Sequence, residues 1–136
     1  MKTALVTGSS RGIGRAIAIR LAKDGYKVIV HGASNSQKAE ETKDIILQNG
    51  GEAEVVVANL CDIEAVKVLA EKAKDVDVLV LNASLQYRTP WQEITTEACY
   101  AQLTCNFVAS MMLCQAVADR MKEKNWGRIK IGRAHV

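Results

Sequence analysis

Short apolar runs and longer amphipathic stretches alternate along this chain from its first residues to beyond residue 120. Residues 3 to 7 read as a first strand, after which Ile13, Ala16, Ile17, Ile19, Leu21 and Ala22 line one face of a helix ending near Asp24 and Gly25. Lys27 to Val30 reads as a second strand, and Gln37 to Gln48 as a second helix stopped by Asn49-Gly50-Gly51. Glu54 to Ala58 gives a third strand, Ile63 to Lys74 a third helix, and Val76 to Leu81 a fourth strand. Short apolar strands, each followed by a helix, predict an α/β fold on a parallel sheet covered on both faces.

The alternation pauses over Ser84 to Pro90, an irregular stretch holding the only proline. A long helix is expected from about Glu97 to Glu123, where Leu103, Phe107, Met111, Cys114, Val117 and Met121 recur at helical spacing. That stripe predicts core or a subunit interface rather than a cofactor contact. Asn125-Trp126-Gly127 ends the helix, and Arg128-Ile129 opens a fifth strand. No repeat, linker or low-complexity segment divides the chain, so a single domain is expected.

Composition narrows the classes of function. With 136 residues, 49% of them hydrophobic, the chain has the makings of one globular core. A net charge of +3, carried by Lys and Arg scattered along the sequence, argues against a nucleic-acid partner. The apolar runs look too short for the roughly 20 residues that span a bilayer. A strand begins directly after Met1-Lys2, leaving no room for a signal peptide, so a cytoplasmic location without a membrane partner is expected. Cys61, Cys99, Cys105 and Cys114 show no C-x-x-C spacing, and His31 and His135 lie far apart. No metal site is predicted, and the thiols read as buried, reduced, small hydrophobes.

The chemistry is concentrated in Thr7-Gly8-Ser9-Ser10-Arg11-Gly12-Ile13-Gly14, between the first strand and the first helix. A strand that ends in a glycine-spaced loop and turns into a helix aims free backbone N–H groups and the positive helix end at one point. A pyrophosphate suits that point. Gly8 is expected to allow the tight turn, Gly12 the close approach of the ligand, and Gly14 the close packing of the helix.

In this context the chain resembles the N-terminal half of a short-chain dehydrogenase/reductase. The family's T-G-x-x-x-G-x-G matches Thr7 to Gly14 without departure, and its N-N-A-G appears in part as Leu81-Asn82-Ala83-Ser84. The family's adenine-contacting position falls at Asn59, beside Leu60, with Asp62 expected to cap the next helix. Asn106 matches the asparagine that in this family helps hold a proton-relay water near the catalytic lysine, and Trp126-Gly127-Arg128-Ile129 resembles the entry to the strand carrying the catalytic serine. The fold implied is a Rossmann-like doubly wound parallel sheet, here truncated after about the fifth strand. Within the family the similarity is to the classical type that includes 3-oxoacyl-carrier-protein reductases; related sugar and polyol dehydrogenases share this half.

The resemblance implies a nicotinamide cofactor held by Gly8, Ser9, Ser10, Arg11, Gly12, Ile13, Gly14, Ala33, Ser34, Asn59, Leu60, Asn82, Ala83 and Ser84. NAD-binding members place an acid near the end of the second strand, whereas His31-Gly32-Ala33-Ser34-Asn35 contains none. Arg11 can pair with a 2'-phosphate, and Ser34 and Asn35 can donate hydrogen bonds to one, so NADP is favoured over NAD. In complete members the long helix commonly pairs with a neighbour's, implying a homodimer or tetramer that acts on a small carbonyl or alcohol.

The family's chemistry requires a tyrosine with a lysine four residues on, which lowers the tyrosine's pKa, and a serine. Tyr26, Tyr87 and Tyr100 are followed at that spacing by Val30, Trp91 and Thr104, so no Tyr-x-x-x-Lys is present in the sequence. Of the family's catalytic set only Asn106 is matched, and no turnover is expected. Lys130 to Val136 also departs from the family, and its codons can read AAG ATC GGA AGA GCA CAC GTC, resembling an in-frame DNA-sequencing adapter. The expected division is therefore a nucleotide-binding portion over residues 1–129 and a non-native tail over 130–136. The leading expectation is an oxidoreductase fragment using NADPH; the competing one is a non-catalytic dinucleotide-binding module.

Overall fold

The computed structural model describes residues 1–131. It contains a five-stranded parallel sheet in the order β3-β2-β1-β4-β5. The strands are β1 (Thr3–Val6), β2 (Lys27–Gly32), β3 (Ala53–Val57), β4 (Val78–Leu81) and β5 (Arg128–Ile131). Between them lie α1 (Gly12–Lys23), α2 (Ser36–Gln48) and α3 (Ile63–Ala73). A rod of α4 (Thr96–Leu103), a wide π-helical turn (Thr104–Val108) and α5 (Ala109–Glu123) then connects β4 to β5.

Alternation along each strand divides the core between two faces. Ala4, Val6, Val28, Val30, Val78 and Val80 point to one side, where Ala18 of α1 and Ala39 and Ile46 of α2 cover them. Leu5, Ile29, Val56, Leu79 and Leu81 point to the other, beneath Val66 and Leu69 of α3 and Leu113 and Val117 of α5. The chain leaves β1 toward β2 and β3 on one side and returns to β4 on the other. That reversal opens a crevice beyond the ends of β1 and β4, where α/β sheets bind ligands.

Several element boundaries differ from the sequence expectation. β2 runs two residues further than Val30, through His31 and Gly32, because pairing with Val56 and Val57 of β3 continues there. β5 extends through Lys130 and Ile131, which pair with Val80 and Leu81; residues 132–136 of the expected tail lie outside the described residues. The long helix is not uniform. Its π-helical turn accommodates an extra residue per turn, and the expected stripe divides: Val117 and Met121 are buried, while Leu103, Phe107 and Met111 are exposed. Cys105, Ala109 and Leu113 face the core instead.

Two further expectations are corrected. Only Cys105 of the four cysteines is buried; Cys61 and Cys114 are half-buried and Cys99 is exposed, on a helix, α4, that buries none of its residues. The rod Thr96–Glu123, 28 residues long, is long and apolar enough by length and composition to cross a bilayer, although its individual apolar runs are short. Its second half is nevertheless a core element, packing Leu113, Val117 and Met121 into the face beneath α3.

Candidate functional site

The glycine loop is tied to β4 before any ligand is considered. Thr7 Oγ1 accepts the backbone N–H groups of Asn82 and Ala83, both at 3.0 Å. The Asn82 amide returns the connection, donating to the carbonyls of Thr7 at 3.2 Å and Gly8 at 3.3 Å. Gly8 adopts φ +66°, and a Cβ there would lie 3.0 Å from Ala83 Cα, so glycine is required by conformation and by space together. A Cβ on Gly14 would overlap the Gly8 carbonyl and sit 2.6 Å from Asn82 Nδ2. The helix therefore packs against its own preceding loop as well as the sheet.

The start of α1 differs from the starts of its neighbours. Asn35, Asp62 and Thr95 cap α2, α3 and α4, their side chains accepting from Lys38, Glu64 and Ala98. Arg11 precedes α1 without a capping hydrogen bond, and the first turn holds no acid. The first N–H groups of a helix lack intrahelical partners, so here they face the crevice with the positive end of the helix dipole behind them. A Cβ on Gly12 would meet nothing within 4 Å, leaving open space beside those donors. An anionic diphosphate fits this donor set.

A cleft of about 380 Å³ opens there, within the usual size range of small-molecule sites. Of the residues expected at a cofactor, Gly8, Ser10, Arg11, Gly12, Ile13, Gly14, Ala33, Asn59, Leu60, Asn82, Ala83 and Ser84 are in its wall. Ser9 is not. It is fully buried, its hydroxyl donating to the Val6 carbonyl at 2.7 Å and accepting the His31 N–H at 2.9 Å. Ser34 is exposed outside the wall. Asn106 also lies outside it, holding both backbone groups of Leu85, at 2.7 Å and 2.8 Å, so its amide fixes the segment after β4.

The structure adds residues that the sequence reading left out. His31, Cys61, Leu85 and Cys105 join the wall. His31 is fully buried, and burial pushes its pKa below the ordinary value of 6.5 against the opposing effect of the Ala58 carbonyl. Burial, together with the neighbouring Cys61, pushes the Cys105 thiol up to about 11, so it is protonated and inert at neutral pH. Arg15, one turn into α1, is the second arginine of the region. Its guanidinium donates to Thr42 Oγ1 at 2.8 Å and the Ser10 carbonyl at 2.7 Å, and pairs with Glu41 at 3.2 Å. Arg15 is thus committed to joining α1 and α2, whereas Arg11 stands exposed at the cleft. Among the described residues no group of three metal-ligating side chains occurs.

The chain that carries this glycine cradle, with Asn82 locked beneath it, matches known proteins. The family model for short chain dehydrogenases matches residues 2–131. This chain belongs to the short-chain dehydrogenase family. It is 37% identical over 132 residues to a 3-oxoacyl-[acyl-carrier-protein] reductase of Synechocystis, covering 94% of this chain and 53% of that protein. Among solved structures it resembles an Agrobacterium tumefaciens 3-oxoacyl (acyl-carrier-protein) reductase with NADP bound, with TM-score 0.89 and 36% identity. That match covers 96% of this chain and 51% of the reductase. A Beutenbergia cavernae protein described as a gluconate 5-dehydrogenase, also with bound NADP, gives TM-score 0.88 and 38% identity, over 96% of this chain and 53% of that one. The chain spans about half the length of these relatives.

Proposed function

We propose that these residues are the nucleotide-binding half of an NADP-dependent oxidoreductase, whose complete form exchanges hydride between NADPH and a small carbonyl or secondary alcohol. The observation that carries this reading is the uncapped start of α1, opening onto a glycine-lined cleft at the switch point of the sheet. The N–H groups of Gly12, Ile13 and Gly14 hold the pyrophosphate there. Asn59 and Leu60 take the adenine, while Arg11, Ala33 and Ser34 surround the 2'-phosphate of the adenosine ribose. The NADP preference is supported by the absence of an acid from Gly32 to Asn35 and by the exposed guanidinium of Arg11.

Asn82, Ala83 and Ser84 line the same cleft beside the glycine loop, and Asn106 positions the strand exit through Leu85. The nicotinamide supplies or receives the hydride in such enzymes. Residues 2–131, the span the family model matches and the sheet includes through Ile131, form the nucleotide-binding portion in this reading. A soluble, cytoplasmic protein fits the kinds of relative it matches. The exposed Leu103, Phe107 and Met111 would contribute to a homodimer or tetramer interface in the complete protein.

Because the 136 residues contain no Tyr-x-x-x-Lys, binding and turnover separate. Fluorescence titration of the purified chain is expected to show NADPH binding more tightly than NADH, with no carbonyl reduction. Tighter NADH binding would overturn the cofactor preference, and measurable reduction would overturn the inactivity. Failure to bind either nucleotide would overturn the site itself.

A further inference from the structure

His31 ends the apolar run Val28-Ile29-Val30 in β2, the strand lying between β1 and β3. A polar ring in a fully buried position needs partners for both nitrogens. It has them, on opposite sides. Nδ1 accepts the backbone N–H of Gly8 at 2.9 Å, and Nε2 lies 2.8 Å from the carbonyl of Ala58. Since an N–H donates at Gly8 and a carbonyl accepts at Ala58, the ring is the neutral tautomer with its proton on Nε2. The backbone of the same residue adds two bonds to the loop: its carbonyl accepts from Ser9 N at 2.9 Å, and its N–H donates to Ser9 Oγ at 2.9 Å.

Gly8 begins the phosphate-facing loop, and Ala58 precedes Asn59 and Leu60 at the far end of the cleft. We propose that the His31 imidazole is a positioning residue, a bridge that sets the spacing between the pyrophosphate end and the adenine end of the cofactor cleft. This rests on the nucleotide-binding reading given above. Pairing of β2 with β1 on one side and β3 on the other aligns the strands; Gly8 and Ala58 stand just past the last paired residues, where the Ala58 N–H donates to the Gly32 carbonyl at 3.0 Å. To these backbone bonds the imidazole adds a side-chain link that joins Gly8 and Ala58 directly. A ligand touching both ends would feel the loss of the ring; a ligand touching one end would not.

The test compares NADPH, which spans both ends, with adenosine, which lacks both the pyrophosphate and the 2'-phosphate and reaches only the Asn59–Leu60 end. His31→Leu fills the space without hydrogen bonding, whereas His31→Asn restores an acceptor near Gly8 N–H. His31→Leu is expected to weaken NADPH roughly tenfold or more, the scale of a lost buried hydrogen-bond partner, while adenosine changes less than about twofold. His31→Asn is expected to recover most of the NADPH affinity.

Equal losses for both ligands, or no difference between the Leu and Asn variants, would overturn the proposal by reducing His31 to general support. Should His31→Leu fail to fold, His31→Asn is compared with His31→Gln, whose longer amide reaches toward Ala58 instead. NADPH binding tighter to Asn than to Gln by about threefold or more supports the bridge to Gly8, and equal or reversed affinities overturn it. If the unaltered chain binds neither ligand, the nucleotide-binding reading itself has failed, a result distinct from any ordering of the variants.

Discussion

On one side of β1, β2 and β3 lie under α1 and α2, and Val28, Val30, Ala39 and Ile46 are at most 1% exposed. On the other, β5 is hydrogen-bonded to β4 along its length, yet Ile129 and Ile131 are 42% and 70% exposed. Backbone pairing is present in both regions, so pairing does not distinguish them. Coverage does: each β2 side chain meets a helix or a neighbouring strand, whereas each β5 side chain meets water. The glycine loop, His31 and the start of α1 all belong to the covered side. A nucleotide site can therefore be well formed while the far edge of the sheet remains a weak, adhesive strand.

Perturbing each region in turn sharpens this contrast. Leu5, fully buried in the central strand, is expected to cost about 3 kcal/mol when replaced by Ala, because deleted methyl groups leave a cavity between two packed layers. Chemical denaturation measures it, and a loss below about 1 kcal/mol would show that the covered side is not tightly packed. Gly14→Ala attacks the site. With its new Cβ overlapping the Gly8 carbonyl and close to Asn82, NADPH affinity is expected to fall about thirtyfold, roughly 2 kcal/mol. Affinity within about twofold of the parent would mean the loop accommodates the methyl group at little cost.

A smaller effect, from the same side, follows pH. Because burial lowers the folded-state pKa of His31, folding favours its neutral form. That contribution is fully present above the unfolded value near 6.5 and is lost as pH falls below it toward the lowered folded value. The slope reaches at most about 1.4 kcal/mol per pH unit. Thermal unfolding between pH 7.5 and 5.5 should show the decline, and His31→Asn should flatten it; identical slopes would exclude His31 as the source. The smallest effect is expected at the open edge. Ile131→Thr should change stability by no more than about 0.5 kcal/mol while reducing aggregation measured by light scattering. A large destabilisation would show that β5 is covered in solution.

The two regions also differed in how far the sequence disclosed them. Strand and helix order, the cap Asp62 and the loop Thr7 to Gly14 were legible because each depends on neighbours within a few residues. His31, Leu85 and Cys105 were not read as part of the cleft. Their place in its wall depends on which strands lie side by side and on a π-helical turn that no local pattern announces. One sign was available for His31, a lone polar residue closing the run Val28-Ile29-Val30 beside the expected phosphate loop. Ser9 misled in the other direction. A hydroxyl in a glycine loop reads as a ligand donor, but here it folds back to the Val6 carbonyl and completes the turn.

Hydrogen–deuterium exchange of the 136-residue chain with and without NADP reads the nucleotide site and the open sheet edge in one experiment. Slowed exchange is expected of the amides from Gly12 to Arg15, at the start of α1, with Arg128 to Ile131 of β5 exchanging as rapidly as before. Unchanged exchange at the start of α1, or protection confined to β5, would contradict a nucleotide site there.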